Sequence, residues 1–332
     1  MKLSLGIVGL PNVGKSTLFK ALTKIDITIA NYPFATIDPN VGIVTVPDER
    51  VDKLVELSKS KKKIPAIVEF YDIAGLVKGA NKGEGLGNQF LSHIRETQAI
   101  VQVVRCFGGG EIIHVESNVN PLRDIETINT ELMLKDLEVV EKRLKSAEGE
   151  AKTGKKDAIA TVEILKKAKV KLEKGEMLRD LRDEPEIKEL QLLTAKEILF
   201  LLNGKEDDVP DELKNMIKAL GYSYLVADLS DHNFNLNPLI KKAYEILDLI
   251  SFFTTGEDET RAWTIKRGTL APQAAGVIHT DFENKFIRAE VVSYEALHAS
   301  GGWQAAKQKG LLRLEGKDYV FQDGDVVVIR HG

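Results

Sequence analysis

The chain has 332 residues, of which 43% are hydrophobic and 29% are charged, and its formal net charge is -4. This composition is typical of a globular protein of two or three domains and excludes a largely disordered or fibrous chain. The small net charge excludes a global electrostatic attraction to nucleic acid, so an RNA contact would have to depend on local patches.

The first predicted element is a buried strand over 3–8, which runs into a loop of the pattern G-x-x-x-x-G-K-S from Gly9 to Ser16. A predicted helix over 15–24 follows, so strand, loop and helix stand in the order of a phosphate-binding loop. Glycines let backbone N–H groups approach phosphate oxygens, and Lys15 reaches the β- and γ-phosphates, where it is also a predicted catalytic residue. The predicted nucleotide contacts of the loop are Asn12, Val13, Gly14, Lys15, Ser16 and Thr17.

Two further segments are predicted to complete a Mg²⁺ site that begins with the Ser16 hydroxyl. The loop 31–39 contains Thr36, which would approach the ion when the γ-phosphate is present, although an ordinary connecting loop is the alternative. A strand predicted over 65–71 leads to Asp72, which starts a D-x-x-G pattern that ends at Gly75. Asp72 would hold the metal, and Gly75 would donate its backbone N–H to the γ-phosphate in a mobile switch segment.

The elements around these motifs alternate between strands and helices. A strand is predicted over 40–46, a helix over 48–58, a helix over 87–97 and a strand over 99–106. This alternation predicts a doubly wound α/β sheet. The basic run 59–63 is interpreted as a solvated turn, with a binding role as the weaker alternative.

From about 120 to 190 the sequence becomes rich in Lys and Glu and loses its strand patterns. Apolar residues recur at spacings of three and four, first from Leu137 to Ala151 and again from Val162 to Leu172. This periodicity predicts an antiparallel helical hairpin, or coiled coil, inserted into the sheet domain.

Strand patterns return at 198–202 and 223–226, with a predicted helix over 211–220 between them. After the first strand the chain reads Asn203, Gly204, Lys205, Glu206, where GTP-specific proteins carry N-K-x-D. Glu206 is too long to reproduce the bidentate contact of Asp with guanine, whereas Asn203 can donate and accept at the N6 and N7 edge of adenine. We therefore predict ATP as the nucleotide and GTP as a weaker ligand, with Asn203, Gly204 and Glu206 as contacts.

The last part of the chain changes to short strands at 261–265, 286–292 and 325–330, with a helix at 303–309. This pattern predicts a small α+β domain. The predicted domains are a nucleotide-binding domain over 1–119 and 191–250, the hairpin over 120–190, and the C-terminal domain over 251–332.

Taken together, these motifs resemble the Obg-like ATPases, also called the YchF family, over nearly the whole chain. The segments that carry the resemblance are 9–16, 31–36, 72–80, 82–90, 95–97, 203–206, 261–264, 271–276 and 279–282. The resemblance implies a P-loop ATPase domain, a helical-hairpin insertion and a C-terminal ubiquitin-like TGS domain. It also implies a preference for ATP over GTP and an association with the ribosome.

The resemblance further implies how hydrolysis is catalysed. Leu76 stands where many GTPases carry the Gln that orients the attacking water, and the resemblance points to His114 as its replacement. The alternative is a histidine that simply packs in an apolar segment. The chain departs from the family at 227–234, which is shorter, and at the insertion of Gly204 and Lys205 between Asn203 and Glu206, so the remaining base contacts and the use of both nucleotides stay open.

The expected activity is Mg²⁺-dependent hydrolysis of the β–γ phosphoanhydride of ATP by a regulatory switch that associates with the ribosome or RNA. The alternatives are a GTP-specific translation GTPase and a ribosome- or RNA-binding adaptor with negligible turnover. A single cysteine, Cys106, excludes an internal disulfide and fits a reducing compartment. No apolar run is long enough to span a bilayer, so a cytoplasmic protein without membrane contact is expected.

Overall fold

A computed structural model describes residues 4–24, 40–72, 94–108, 119–152, 156–231 and 234–332. By their contacts these residues form two compact units. The first unit contains the described residues of 4–24, 40–42 and 69–236, and the second contains 43–68 and the described residues of 237–332. The segment 43–68 therefore groups with the C-terminal part of the chain. The domain boundaries predicted from the sequence differ from this grouping and stay a prediction.

The strands are β1 (Ser4–Val8), β2 (Val41–Thr45), β3 (Lys62–Ile64), β4 (Ile67–Asp72), β5 (Ala99–Arg105), β6 (Glu197–Asn203), β7 (Ser223–Ala227), β8 (Leu249–Thr255), β9 (Glu259–Lys266), β10 (Phe286–Ser293), β11 (Arg313–Glu315) and β12 (Asp325–His331). The helices are α1 (Lys15–Thr23), α2 (Glu49–Ser58), α3 (Pro121–Ala151), α4 (Lys156–Glu173), α5 (Pro185–Glu189), α6 (Asp211–Ala219), α7 (Asn237–Ile246), α8 (Ala271–Ile278), α9 (Thr280–Asn284), α10 (Tyr294–Ser300) and α11 (Trp303–Gln308). Most of the predicted helix 87–97 lies outside the described residues.

The first six-stranded sheet has the strand order β2-β4-β1-β5-β6-β7, and all of it except most of β2 and the first two residues of β4 lies in the first unit. β1 pairs in parallel with both β4 and β5, and β5, β6 and β7 continue the parallel arrangement. Because the chain moves outward from β1 in both directions, the sheet is doubly wound as predicted. All seven residues of β5 are buried, which is typical of a parallel strand covered on both faces.

The predicted helical hairpin is formed by α3 and α4. Asn120 caps α3 by accepting the Arg123 N–H, and Pro121 occupies the first turn, where no intrahelical N–H is needed. Two ion pairs between the helices show that they run antiparallel: Glu141 pairs with Lys169, and the later Glu148 pairs with the earlier Lys166. Their seam is apolar and contains Val140, Ala147, Leu165, Ala168 and Leu172. Residues 153–155, between the two helices, lie outside the described residues.

The second unit contains a mixed sheet with the order β11-β10-β12-β8-β9-β3. β8 and β9 form an antiparallel pair, as do β10 and β12, while β12 and β8 run parallel. The core beneath the sheet is aromatic and aliphatic and includes Ile250, Phe252, Ile265, Val291 and Phe321. The predicted α+β character is confirmed, and the assignment to a TGS domain stays a prediction.

The prediction of a solvated turn at 59–63 is wrong for its second half. Residues 62–64 form β3, which pairs in parallel with β9 through Lys62 and Glu259. The Lys61 N–H also donates to the Glu257 carbonyl oxygen at 2.9 Å. The lysine side chains remain at the surface, where Lys61 and Lys63 form ion pairs. The lysine side chains of this run are therefore exposed, while the backbone of its second half forms a strand. The composition of the run indicates the exposure but not the strand.

None of the helices within the described ranges combines the length and the apolar character that crossing a bilayer requires.

Candidate functional site

The loop after β1 depends on two glycines. Gly9 has φ +153, and a Cβ atom there would lie 2.5 Å from the Val103 carbonyl oxygen. Gly14 has φ +110, and a Cβ atom there would lie 2.5 Å from Nδ2 of Asn203. Since both the backbone conformation and the space exclude a side chain, the G-x-x-x-x-G spacing is a steric requirement of this turn.

Helix α1 begins directly after Gly14, and its first hydrogen bond joins the Leu18 N–H to the Gly14 carbonyl oxygen at 2.9 Å. No acidic residue occupies its first turn, and Ser16 and Thr17 are exposed there. The unpaired N–H groups and the partial positive charge of a helix N-terminus favour anions. The loop and helix together therefore have the geometry and charge that suit a phosphate group.

The Lys15 amine folds back over the loop. Its Nζ donates to the carbonyl oxygens of Gly9 at 2.9 Å and Leu10 at 2.7 Å. Burial lowers the pKa of Lys15 to about 8, and the nearby carboxylate of Asp72 opposes this shift. A phosphate oxygen offers a charged acceptor in place of two neutral carbonyls, so the ammonium form gains when an anion binds.

Asp72 lies at the carboxyl end of β4, where it pairs with Ile7 of β1, one residue before that strand ends. The register therefore places its carboxylate beside the loop, and the residue is 8% exposed. The carboxylate of Asp72 and the hydroxyl of Ser16 are oxygen donors of the kind that hard divalent cations prefer. Within the described ranges, no cluster of three or more His, Cys, Asp or Glu residues could hold a metal. A cation here would have to complete its coordination with phosphate oxygens and water, which the donor set fits.

The predicted base reader, Asn203, ends β6 and is buried. Its Nδ2 donates to the Val13 carbonyl oxygen at 2.8 Å, and its Oδ1 accepts the Leu229 N–H at 3.0 Å. A primary amide has two N–H groups and two lone pairs, so one donor and one acceptor remain for a ligand. Asn203 thus ties the phosphate-binding loop to the chain after β7. Sequence reasoning missed this role, since neither Val13 nor Leu229 is near Asn203 in sequence.

The other two predicted contacts at this end of the site differ in their placement. The Gly204 N–H donates to the Ala227 carbonyl oxygen at 3.1 Å, and this bond continues the pairing of β6 with β7 past Asn203. Glu206 lies in a short 3-10 turn, and its carboxylate is 2.6 Å from Nζ of Lys214 on α6. The structure thus brings Asn203 to the phosphate-binding loop and pairs Glu206 with another helix. Nucleotide contacts of Gly204 and Glu206 stay predictions.

Three predicted site residues, Thr36, Gly75 and His114, lie outside the described residues. The predicted roles of Thr36 at the metal, Gly75 at the γ-phosphate and His114 in catalysis therefore stay predictions.

Two family models match the chain. A model described as "50S ribosome-binding GTPase" matches residues 4–143, and therefore includes the phosphate-binding loop and Asp72. A second, the YchF-GTPase C-terminal model, whose description is "Protein of unknown function", matches residues 249–332.

Known proteins are similar over almost the full chain. A Bacillus subtilis protein named "Ribosome-binding ATPase YchF" is 49% identical, and the alignment covers 99% of both chains. A Shigella flexneri protein of the same name is 47% identical, with 97% of both chains covered. A solved structure entitled "Structure of the Schizosaccharomyces pombe YchF GTPase" superposes with a TM-score of 0.88 at 40% identity and covers 99% of this chain and 98% of that one.

Proposed function

The chain belongs to the YchF family, and from that premise we propose that it binds ATP with Mg²⁺ and hydrolyses it as a ribosome-associated switch. The observation that carries this proposal is the position of Lys15, which lies in a glycine-dependent loop at the N-terminus of α1 and near Asp72. Relatives at 47–49% identity are named ATPases, which supports the reaction.

The proposed chemistry consists mostly of positioning and charge stabilisation. The N–H groups around Gly14 and the ammonium of Lys15 bind the phosphates and stabilise negative charge that develops during transfer. Ser16, Asp72 and the predicted ligand Thr36 would hold Mg²⁺, which supplies further charge neutralisation when bound. We propose that Gly75 donates its N–H to the γ-phosphate and that His114 orients the attacking water.

The preference for ATP over GTP belongs to the same proposal. Asn203 retains one N–H and one lone pair beyond its bonds to Val13 and Leu229, enough for one donor and one acceptor contact with the adenine edge. GTP is the second candidate, because the matching family model and the similar solved structure both carry GTPase in their names. The ion pair of Glu206 with Lys214 bears on this choice, since a carboxylate held by Lys214 is less available to guanine.

We propose the ribosome as the partner because the relatives are named ribosome-binding, and a cytoplasmic location follows from that partner. A direct RNA contact and the use of a TGS domain in binding belong to the same proposal. The adaptor alternative shares the partner but lacks significant turnover.

A competition titration of ATP and GTP with Mg²⁺, against a fluorescent adenine nucleotide, tests the nucleotide preference. Turnover is then measured for the wild type, Lys15→Ala and Lys20→Ala. Lys20 lies on the same helix and is exposed, so its variant controls for the loss of a positive charge. We expect tighter ATP binding and a loss of at least about 100-fold in kcat for Lys15→Ala only.

Tighter GTP binding would replace the ATPase proposal with the GTPase alternative. Nucleotide binding without turnover by the wild type would favour the adaptor. Turnover that survives in Lys15→Ala would contradict the proposed site. A His114→Ala variant that binds ATP normally and keeps its kcat would contradict only the proposed role of that histidine.

A further inference from the structure

A network of charged side chains around the buried Asp136 lies at the edge of the first sheet opposite the phosphate-binding loop. The segments before β5 and β6 meet there, because the amino ends of neighbouring parallel strands share one edge. The central pair is Arg95 and Asp136, whose guanidinium and carboxylate are 3.1 Å apart. The side chain of Asp136 is 0% exposed and that of Arg95 is 20% exposed.

Both carboxylate oxygens of Asp136 accept hydrogen bonds. Oδ1 accepts from Arg95, and Oδ2 accepts from the backbone N–H and the hydroxyl of Thr194, both at 2.7 Å. Burial raises the pKa of Asp136, while the bonds from Thr194 and the charge of Arg95 oppose that shift. The carboxylate therefore joins α3 to the segment that leads into β6.

A lysine holds the backbone on the other side of the network. Nζ of Lys196 donates to the carbonyl oxygen of Arg95 at 3.0 Å and to that of Thr97. Arg95 is thus held twice, through its side chain by Asp136 and through its backbone by Lys196. The two elements that contribute these groups lie far apart in sequence, so the network fixes the position of residues 94–97 from two directions.

The position of Asp136 along α3 gives this network its significance. Ile125, Ile128 and Leu132, which precede it, pack in the core of the sheet domain. Val140 and Ala147, which follow it, pack in the seam of the hairpin. Asp136 therefore occupies the point at which α3 leaves the domain core and becomes part of the hairpin.

Arg95 has a corresponding position on the nucleotide side. It follows Asp72 in the chain with no described strand between β4 and β5. The preceding residue, Ile94, packs in the same domain core as Ile128 of α3. The segment that carries Arg95 therefore contacts the base of the hairpin, and in the chain it is joined to β4 by residues 73–93, which lie outside the described residues.

We propose that the Arg95–Asp136 pair is a coupling junction that relays nucleotide binding to the helical hairpin. The inference rests on the nucleotide binding proposed above. A buried ion pair contributes little net stability but strongly disfavours arrangements that separate its charges. A displacement of residues 94–97 is therefore followed by α3, and a rigid helix of 31 residues carries that displacement into the hairpin.

Amide hydrogen exchange of residues 137–152 and 156–172 tests this inference, with and without the β,γ-imido analogue of ATP and MgCl₂. The variants are Asp136→Asn and Glu141→Gln. Both replace a carboxylate of α3 by an amide, but Glu141 pairs with Lys169 inside the hairpin, away from the junction. Nucleotide affinity is measured for each variant by titration.

In the wild type and in Glu141→Gln we expect bound nucleotide to change exchange in the hairpin about fivefold or more, the low end of typical coupling. In Asp136→Asn that change should disappear while nucleotide still binds. Should Asp136→Asn fail to fold, Arg95→Met removes the same ion pair from the partly exposed side and must give the same loss.

A hairpin in the Asp136→Asn or Arg95→Met variant that responds as in the wild type overturns the inference. A wild-type hairpin that shows no response to bound nucleotide also overturns it, and leaves the proposed function intact. If the wild type binds no nucleotide in the titration, the proposed function and the coupling junction both fall.

Discussion

The two ends of the first sheet contain the same pair of residue types. At the carboxyl end, Lys15 donates to two backbone carbonyls and lies near Asp72. At the amino end, Lys196 also donates to two backbone carbonyls and lies near Asp136. Burial lowers the pKa of both lysines to about 8, and in both cases the aspartate opposes the shift.

The ends differ in what surrounds the pair. At the amino end, Arg95 and Thr194 occupy both oxygens of Asp136, so the network is complete within the protein. At the carboxyl end, the neighbours are a helix N-terminus and exposed hydroxyls at Ser16 and Thr17, which are suited to an anion and a cation. The same pair of residue types thus belongs to a structural junction at the amino end, where the neighbours are protein groups, whereas at the carboxyl end the neighbours are suited to a phosphate and a cation.

The largest effect that separates the two ends is expected for Asp136→Ala. The substitution leaves the charge of Arg95 and the donors of Thr194 without their acceptor, and breaking a buried pair in this way costs about 3–5 kcal/mol. Urea unfolding curves measure the loss. The control, Glu141→Ala, removes a solvent-exposed pair and should cost much less than Asp136→Ala. Equal losses in the two variants would break the comparison.

At the ligand end, Asn203→Ala should cost about 1–3 kcal/mol of unfolding free energy. The change leaves the Val13 carbonyl and the Leu229 N–H buried without their partner. Asn203→Asp sharpens this test, because a carboxylate still accepts from Leu229 but cannot donate to Val13. We therefore expect Asp to lower the unfolding free energy at neutral pH at least as much as Ala, because a buried carboxylate oxygen would face the Val13 carbonyl oxygen without a donor. Unchanged stability in both variants would contradict the role of Asn203 as a support for the loop.

The two lysines should differ in how pH affects ATP binding. Lys15 without nucleotide has a pKa of about 8, and only its charged form attracts phosphate, so ATP binding takes up protons and weakens as pH rises through 8. One unit above the pKa about a tenth of the amine is charged, which predicts roughly tenfold weaker binding at pH 9 than at pH 7. Calorimetric titration at both values measures it.

Lys196, at the amino end of the first sheet, provides the control for the pH dependence. Lys196→Met removes the other lysine of similar pKa and should leave the pH dependence of ATP binding unchanged. Lys15→Arg, which stays charged at both pH values, should remove it. A pH dependence that follows Lys196 instead would reverse our assignment of the two ends.

The smallest effects are expected for one threonine at each end. Thr17→Val should weaken ATP binding by about 1 kcal/mol, one hydrogen bond, without changing the stability of the nucleotide-free protein. Thr194→Val should lower unfolding free energy by a similar amount, because the backbone N–H still donates to Asp136, and should leave ATP affinity unchanged. Titration and urea unfolding of both variants measure the two quantities.

The sequence predicts the ligand end better than the junction, for a physical reason. The loop from Gly9 to Ser16 is a local structure whose glycines, lysine and hydroxyl are adjacent in the chain. Alternating strands and helices likewise follow from short-range periodicity, and the doubly wound sheet was predicted from them. These features need no knowledge of distant partners.

The features that sequence reasoning missed all depend on distant partners. Asp136 lies in a stretch of α3 rich in charged residues, a composition typical of a solvent-exposed helix face. Only its contacts with Arg95 and Thr194 identify it as a buried carboxylate. The backbone pairing of Lys62 with β9 is equally invisible in a basic run. Periodicity reports which face of an element is apolar, but it does not report which polar group the fold will bring to it.

The pairing of β3 with β9 has a consequence for how the chain is made. Lys62 is synthesised about 200 residues before its partner Glu259. At typical elongation rates of about 5–20 residues per second, synthesis of the intervening chain takes roughly 10–40 s, and β3 cannot pair with β9 during that time. During translation, β3 must therefore stay unpaired or covered by other means, and the exposed lysines beside it discourage pairing with another nascent chain.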